Sequence, residues 1–150
     1  MSARRWALAW ATLCAAFALH VIDEAANDFL SLYNPNALAL RERAPWLPVP
    51  VFTFPVWITG LTIAVVVLAA LTPVVRRGRR GLLPLAYAYG VIHVANAVSH
   101  ITVSLAGRWF APGVYSSPVL LASAIWLLYE TDRIRRLASA RSAGPFLTNT

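Results

Sequence analysis

Four stretches of this chain are apolar for longer than a soluble core of its size could hide: residues 6–26, 52–75, 82–106 and 118–134. Each meets or approaches the ~20 residues, at ~1.5 Å rise, that a ~30 Å hydrocarbon layer asks of a spanning helix. The expected fold is therefore all-α, a polytopic membrane four-helix bundle in a single domain over residues 1–150. Composition agrees, since 59% of the residues are hydrophobic and only 13% charged, far from the average soluble balance. The one cysteine, Cys14, sits inside the first apolar run, which excludes a disulfide framework and a cysteine-rich metal site.

The charge pattern supports a bilayer as the partner rather than a nucleic acid. The formal net charge is +7, yet all 13 basic residues are arginines and most flank the apolar runs instead of forming a phosphate-binding stripe. Arg4, Arg5, Arg76, Arg77, Arg79, Arg80, Arg133, Arg135, Arg136 and Arg141 fall on one side of the four spans, and Arg41, Arg43 and Arg108 on the other. The arginine-rich side stays in the cytoplasm by the positive-inside rule, which puts both termini there and the 31–51 and 107–117 loops outside. Trp6, Trp46, Trp57, Trp109 and Trp126 fall mostly near span ends, where interfacial aromatics anchor a bundle. Ala16-Phe17-Ala18 resembles a signal-peptide cleavage site, but the polar residues that follow are patterned as a helix face and argue for a retained span. Pro45, Pro48, Pro50 and Pro55 remove backbone donors, so the outer loop is expected to be an irregular cap over whatever lies beneath.

Two spans carry polar stripes. At ~100° per residue, His20, Asp23, Glu24 and Asn27 fall within an arc of about 100° on the first. On the third, Tyr89, His93, Asn96, His100 and Ser104 share a stripe roughly 80° wide. Ionisable groups at membrane depth cost on the order of 2.5–3.5 kcal/mol each, so they must turn inward and find partners. Counted at ~1.5 Å per residue from the inner ends, both stripes reach the outer half of the bilayer and should face each other. A third element, Pro112-Gly113-Val-Tyr-Ser116-Ser117, precedes the fourth span on the same side. Its free backbone N–H groups could hold an anion or a carbonyl oxygen.

These three pieces, His20-Val-Ile-Asp23-Glu24, Asn96-Ala-Val-Ser-His100 and Pro112-Gly113-Val-Tyr-Ser116, resemble in order the HxxEE, NxxxH and PGxxT motifs of the HXXEE family of small bacterial integral membrane proteins. The resemblance spans most of the chain. Asp23 stands where the family pattern has its first Glu, and Ser116 where it has Thr, so the carboxylate and the hydroxyl are kept while the reach of Glu is not. The resemblance implies a multi-pass protein of a bacterial cytoplasmic membrane and a set of site residues; it brings no reaction with it.

Three functions compete. In the first, an intramembrane enzyme acts on a lipophilic small molecule with metal assistance. His20, Asp23 or Glu24, and His100, with His93, supply mixed imidazole and carboxylate ligands suited to a divalent ion such as zinc or iron. In the second, a metal-free isomerase, cyclase or hydrolase uses Glu24 and His20 for proton transfer, with His100 polarising the substrate and Asn96 orienting it. There the adjacent carboxylates Asp23 and Glu24 divide into an acid and a base, and Pro112, Gly113, Ser116 and Tyr89 bind the substrate. In the third, the protein transports protons or a metal ion, or supports a larger complex; the polar stripes stop midway, which favours a pocket. Glu130 and Asp132, beside Arg133, Arg135 and Arg136, are expected to be ordinary surface pairs.

Overall fold

The computed structural model describes residues 2–143, with side chains for 3–139, so the Arg141 side chain of the charge count lies outside the described residues. The described chain is all-α. Helix α1 runs Ser2–Ala26, α2 Phe29–Arg43, α3 Phe54–Ala70, α4 Thr72–Arg76, α5 Leu83–Gly107 and α6 Ser117–Ala143, with a single 3-10 turn at Arg80–Leu82 before α5. Three stretches are long and apolar enough to cross a membrane: Ala3–Ala26, Phe54–Arg76 and Arg80–Gly107. Helix α6 does not join that set. Its apolar residues occupy its first half, and Glu130, Asp132, Arg133, Arg135 and Arg136 crowd the second.

Helix α1 is the hub. It packs against α6 along one side and against α3 and α4 along another, while α6 in turn packs on α5. The core runs down α1 as Trp6, Ala9, Trp10, Leu13, Phe17 and Val21, a recurrence near every third or fourth residue that puts one face inward. Leu120, Ala124 and Leu127 answer it from α6. Gly90 lets α5 close on α6, because a Cβ there would meet the Leu128 side chain at 2.7 Å. Very little of α3 is buried within the chain. Its Val56, Ile63, Val66 and Val67 are exposed, a surface that suits lipid rather than water.

Buried polar groups fasten the end opposite the site. The Trp6 indole donates to Thr131 Oγ1 at 3.0 Å, and the Trp10 indole donates to the Leu68 carbonyl at 2.9 Å, close to where Pro73 interrupts α3–α4. Glu130 is fully buried and pairs with Arg5 at 3.2 Å and with Arg133 at 3.3 Å. Two readings are corrected here. Trp6 is a core residue rather than an interfacial anchor, and Glu130 is not a surface residue, since its partner comes from the start of α1. Asp132 does behave as expected, paired at the exposed flank with Arg135 at 2.8 Å and Arg136 at 2.5 Å.

The outer loop is also different from the reading. Asp28 takes the left-handed conformation (φ 54, ψ 51), ends the run of α1 and starts α2. That second helix continues through Pro35 to Arg43, where an irregular loop had been expected. An interior proline removes one hydrogen bond and costs ~3 kcal/mol in an isolated helix, so tertiary contacts must offset it. Phe29 stacks on Trp57 and Tyr33 on Phe52, with centroids 5.8 and 5.9 Å apart. Asn34 pairs with both backbone polar groups of Phe52, at 2.9 and 3.1 Å, and the Tyr33 hydroxyl donates to the Pro50 carbonyl. Residues 44–53, with three of the four prolines, are irregular as expected and are held against α2 by these bonds.

Candidate functional site

The two polar stripes face each other. The His20 and His100 rings lie with centroids 4.9 Å apart, nearly perpendicular. Glu24 stands one turn beyond His20 on α1, and its Oε1 lies 3.0 Å from His100 Nε2 and 3.4 Å from His20 Nε2. All three side chains are buried, and each offers a ligand atom within 4.8 Å of the other two. A carboxylate oxygen and two imidazole nitrogens converging in a buried site are a donor set suited to zinc or non-haem iron.

The far side of His20 is equally specified. Asn96, one turn before His100 on α5, places its amide nitrogen 2.9 Å from His20 Nε2. A neutral imidazole has one donor and one acceptor nitrogen, so a donating amide leaves Nε2 as the acceptor and puts the proton on Nδ1. Nδ1 lies 2.8 Å from Ser116 Oγ, whose own hydroxyl donates to Asp23 Oδ2 at 2.7 Å. The backbone N–H of Ser116 donates to the same carboxylate oxygen at 2.8 Å. The chain Asp23, Ser116, His20 therefore fixes the tautomer in which Nε2 is the acceptor, and Asn96 donates to it. Outer carboxylates orient metal-binding histidines in this way.

The turn over residues 111–116 closes the site. Gly113 has φ +84, and a Cβ there would stand 2.9 Å from Cε1 of both His20 and His100. Only glycine lets the backbone lie this close to two imidazoles in this conformation. Its carbonyl accepts from Ser117 Oγ at 2.7 Å, and Ser104 Oγ of α5 accepts from the Ala111 N–H at 3.0 Å, which ties the turn to both neighbouring helices. Pro112 is buried beneath the turn.

Several residues from the sequence reading take other places. Asp23 and Glu24 turn to different partners: Asp23 meets the α6 turn and Glu24 the imidazoles. Of the N–H groups ahead of α6, that of Ser116 holds an anion, the chain's own Asp23, while those of Val114 and Ser117 are bonded to carbonyls of the turn. His93 stands outside the three-residue group; its Nδ1 lies 2.9 Å from the Tyr89 carbonyl, one turn back, and its ring packs edge-on against Phe17 and Tyr89. The Tyr89 hydroxyl lies beside the Cys14 thiol. Asn27 caps Asp23, donating to its backbone and side chain at 2.8 Å.

The reading also missed a wall of the site. Phe29 of α2 sits 5.7 Å from the His100 ring and separates two grooves. The larger, about 820 Å³, opens between α2 and the second half of α5, and His100 and Asn96 form part of its lining. Its signal was present as the spacing of Phe29, Leu32, Tyr33 and Asn36, one helical face, but Pro35 concealed the helix.

No curated protein and no solved structure matches the chain. The family described as "Protein of unknown function with HXXEE motif" matches residues 11–127, a span that takes in all three motifs and every residue of the cluster. The chain belongs to the HXXEE family.

Proposed function

We propose that this is an intramembrane enzyme in which His20, Glu24 and His100 hold a divalent metal ion, zinc or iron, and that its substrate is lipophilic. The observation that carries this reading is the convergence of two Nε2 atoms and one carboxylate oxygen in a buried site, with the His20 tautomer preset by Ser116 and Asp23. Three protein ligands leave a coordination position for water or substrate, and a bound water would have its pKa lowered toward ~7. A divalent ion would also compensate the charge of the Glu24 carboxylate, which is buried between two imidazoles. Asp23, Asn96, Pro112, Gly113 and Ser116 then serve as the frame that holds the ligands.

The same reading places four crossings in a bacterial cytoplasmic membrane, with both termini cytoplasmic and the site in the outer half. Helix α6 would cross with its apolar first half, helped by the buried 111–117 turn above it. Between the site and the Glu130–Arg5 pair the interior is filled by Trp6, Trp10, Leu13 and Phe17. That apolar plug argues for a closed pocket over a transport path.

One observation favours a metal-free variant of the reading. The Asn96 amide already occupies the His20 Nε2 lone pair, and in that arrangement His100 and Glu24 alone would exchange a proton with the substrate. Metal analysis of detergent-purified protein separates the two. Near-stoichiometric zinc or iron in the wild type, lost in both His20→Ala and His100→Ala, supports the metal centre. Protein that remains metal-free after zinc or iron is supplied, yet folds, leaves the acid–base pair. Proton or metal flux in proteoliposomes that Glu24→Gln abolishes would move the protein to the transport class.

A further inference from the structure

The groove between α2 and α5 has chemistry of its own. Phe29, Leu32 and Tyr33 line it from α2, Val103 and Ala106 from α5, and Trp109 from two residues past the end of α5. No Asp, Glu, Lys or Arg is among the residues that line it. Its polar atoms are those of neutral amides, hydroxyls, the Trp109 indole and one imidazole, and its volume of about 820 Å³ is that of a small-molecule site. Along α5 it extends from Asn96 to Gly107, one helical face about 16 Å long. A fatty acid or phospholipid phosphate would find no cation along these walls.

The groove meets the cluster at Asn96 and His100. The Asn96 amide nitrogen is committed to His20, while among the described residues its Oδ1 accepts no hydrogen bond. An acceptor left over at the junction of an uncharged groove and a polar site calls for a donor on the ligand. An ether or an ester has none. A hydroxyl has one, and it keeps its own oxygen lone pairs for the cluster.

We propose that the groove takes a neutral long-chain alcohol, its hydrocarbon between α2 and α5 and its hydroxyl at Asn96, beside His100 and Glu24. This rests on the reading of the cluster as the site of action and names the substrate class for it. The walls offer a carboxylate or phosphate no arginine or lysine, and the Asn96 acceptor selects for the free hydroxyl over its capped forms.

The test is photolabelling of the full chain in proteoliposomes with hexadecanol carrying a diazirine on its chain, with labelled peptides mapped by mass spectrometry and metal content measured on the same samples. The expected label falls on Phe29, Tyr33 and Val103. In chelator-treated, metal-free protein, plain hexadecanol should displace it at about tenfold lower concentration than hexadecyl methyl ether or hexadecanoate. Val103→Trp, which fills the groove, should abolish that label and retain the metal. Asn96→Leu should abolish the preference for alcohol over ether. Label spread over the exposed face of α3 as heavily as over the groove overturns the proposal. So does equal competition by the ether or the carboxylate, or label that survives Val103→Trp. Specific groove label in protein that takes up no metal would sustain this inference and defeat the metal centre; bound metal with no groove label would do the reverse.

Discussion

Replacing Gly113 by alanine adds one carbon at the most crowded point of the site. The new Cβ would lie 2.9 Å from Cε1 of His20 and of His100 and 3.0 Å from His100 Nδ1, against a comfortable separation of about 3.5–4.0 Å. Each ring must therefore retreat by ~0.6 Å or the turn must move. Neither is free: His20 is held on both nitrogens by Ser116 and Asn96, and His100 is held by Glu24 and lies against Phe29. Alanine at φ +84 costs a further ~1–2 kcal/mol. With ~1–3 kcal/mol for overpacking, the variant should lose about 2–5 kcal/mol of stability. A ligand shift of ~0.6 Å also exceeds the ~0.2 Å tolerance of a metal site. Affinity for zinc should therefore fall by at least ~10-fold. The assay is thermal unfolding in detergent by circular dichroism, with zinc affinity measured by competition against a chelator. Gly60→Ala is the matched control, because nothing lies within 4 Å of its Cβ position in the middle of α3. It should gain ~0.5–1 kcal/mol from the better helix former. A Gly113→Ala protein as stable and as tight for zinc as Gly60→Ala would refute the close approach on which the site is built.

Other perturbations follow from individual bonds. Ser116→Ala removes the link between His20 and Asp23 and strands His20 Nδ1, while Asp23 keeps the backbone N–H of residue 116 and the Asn27 amide; zinc affinity should drop ~10–100-fold, while Ser116→Thr, which keeps the hydroxyl, should restore most of it in the same chelator competition. Glu130→Gln breaks the pairs with Arg5 and Arg133 at the opposite end. Because Arg5 is half exposed, the cost is about 1–2 kcal/mol in thermal unfolding, with metal content unchanged. Asn34→Ala releases the Phe52 backbone and should cost about 1–2 kcal/mol; limited proteolysis should then cut residues 44–53 faster than in the wild type.

The site was legible in the sequence because helical periodicity is enough to place it. His20 and Glu24 are four residues apart, as are Asn96 and His100, and burying either face alone would strand ionisable groups in lipid. Facing stripes were the economical solution, and the 112–117 turn had to lie beside them because it precedes the last helix on the same side. The division of labour between Asp23 and Glu24 was not legible, since neighbours in sequence point about 100° apart and only the position of α6 decides which partner each meets. Helix α2 was concealed by Pro35, whose local cost is offset by stacking on Trp57 and Phe52 that no local pattern displays. Trp6 and Glu130 were misjudged for the same reason: Thr131 and Arg5, their partners, are remote in sequence, so their burial is a tertiary fact.

A metal centre supplied jointly by α1 and α5 would carry a definite ligand signature. X-ray absorption at the zinc edge, on protein loaded with one equivalent of zinc, reads it. The expected first shell has two imidazole nitrogens at about 2.0–2.1 Å and carboxylate or water oxygen at about 2.0–2.2 Å, reduced to one imidazole in either His20→Ala or His100→Ala. A shell containing sulfur, or one that keeps both imidazoles when His20 or His100 is removed, would contradict it.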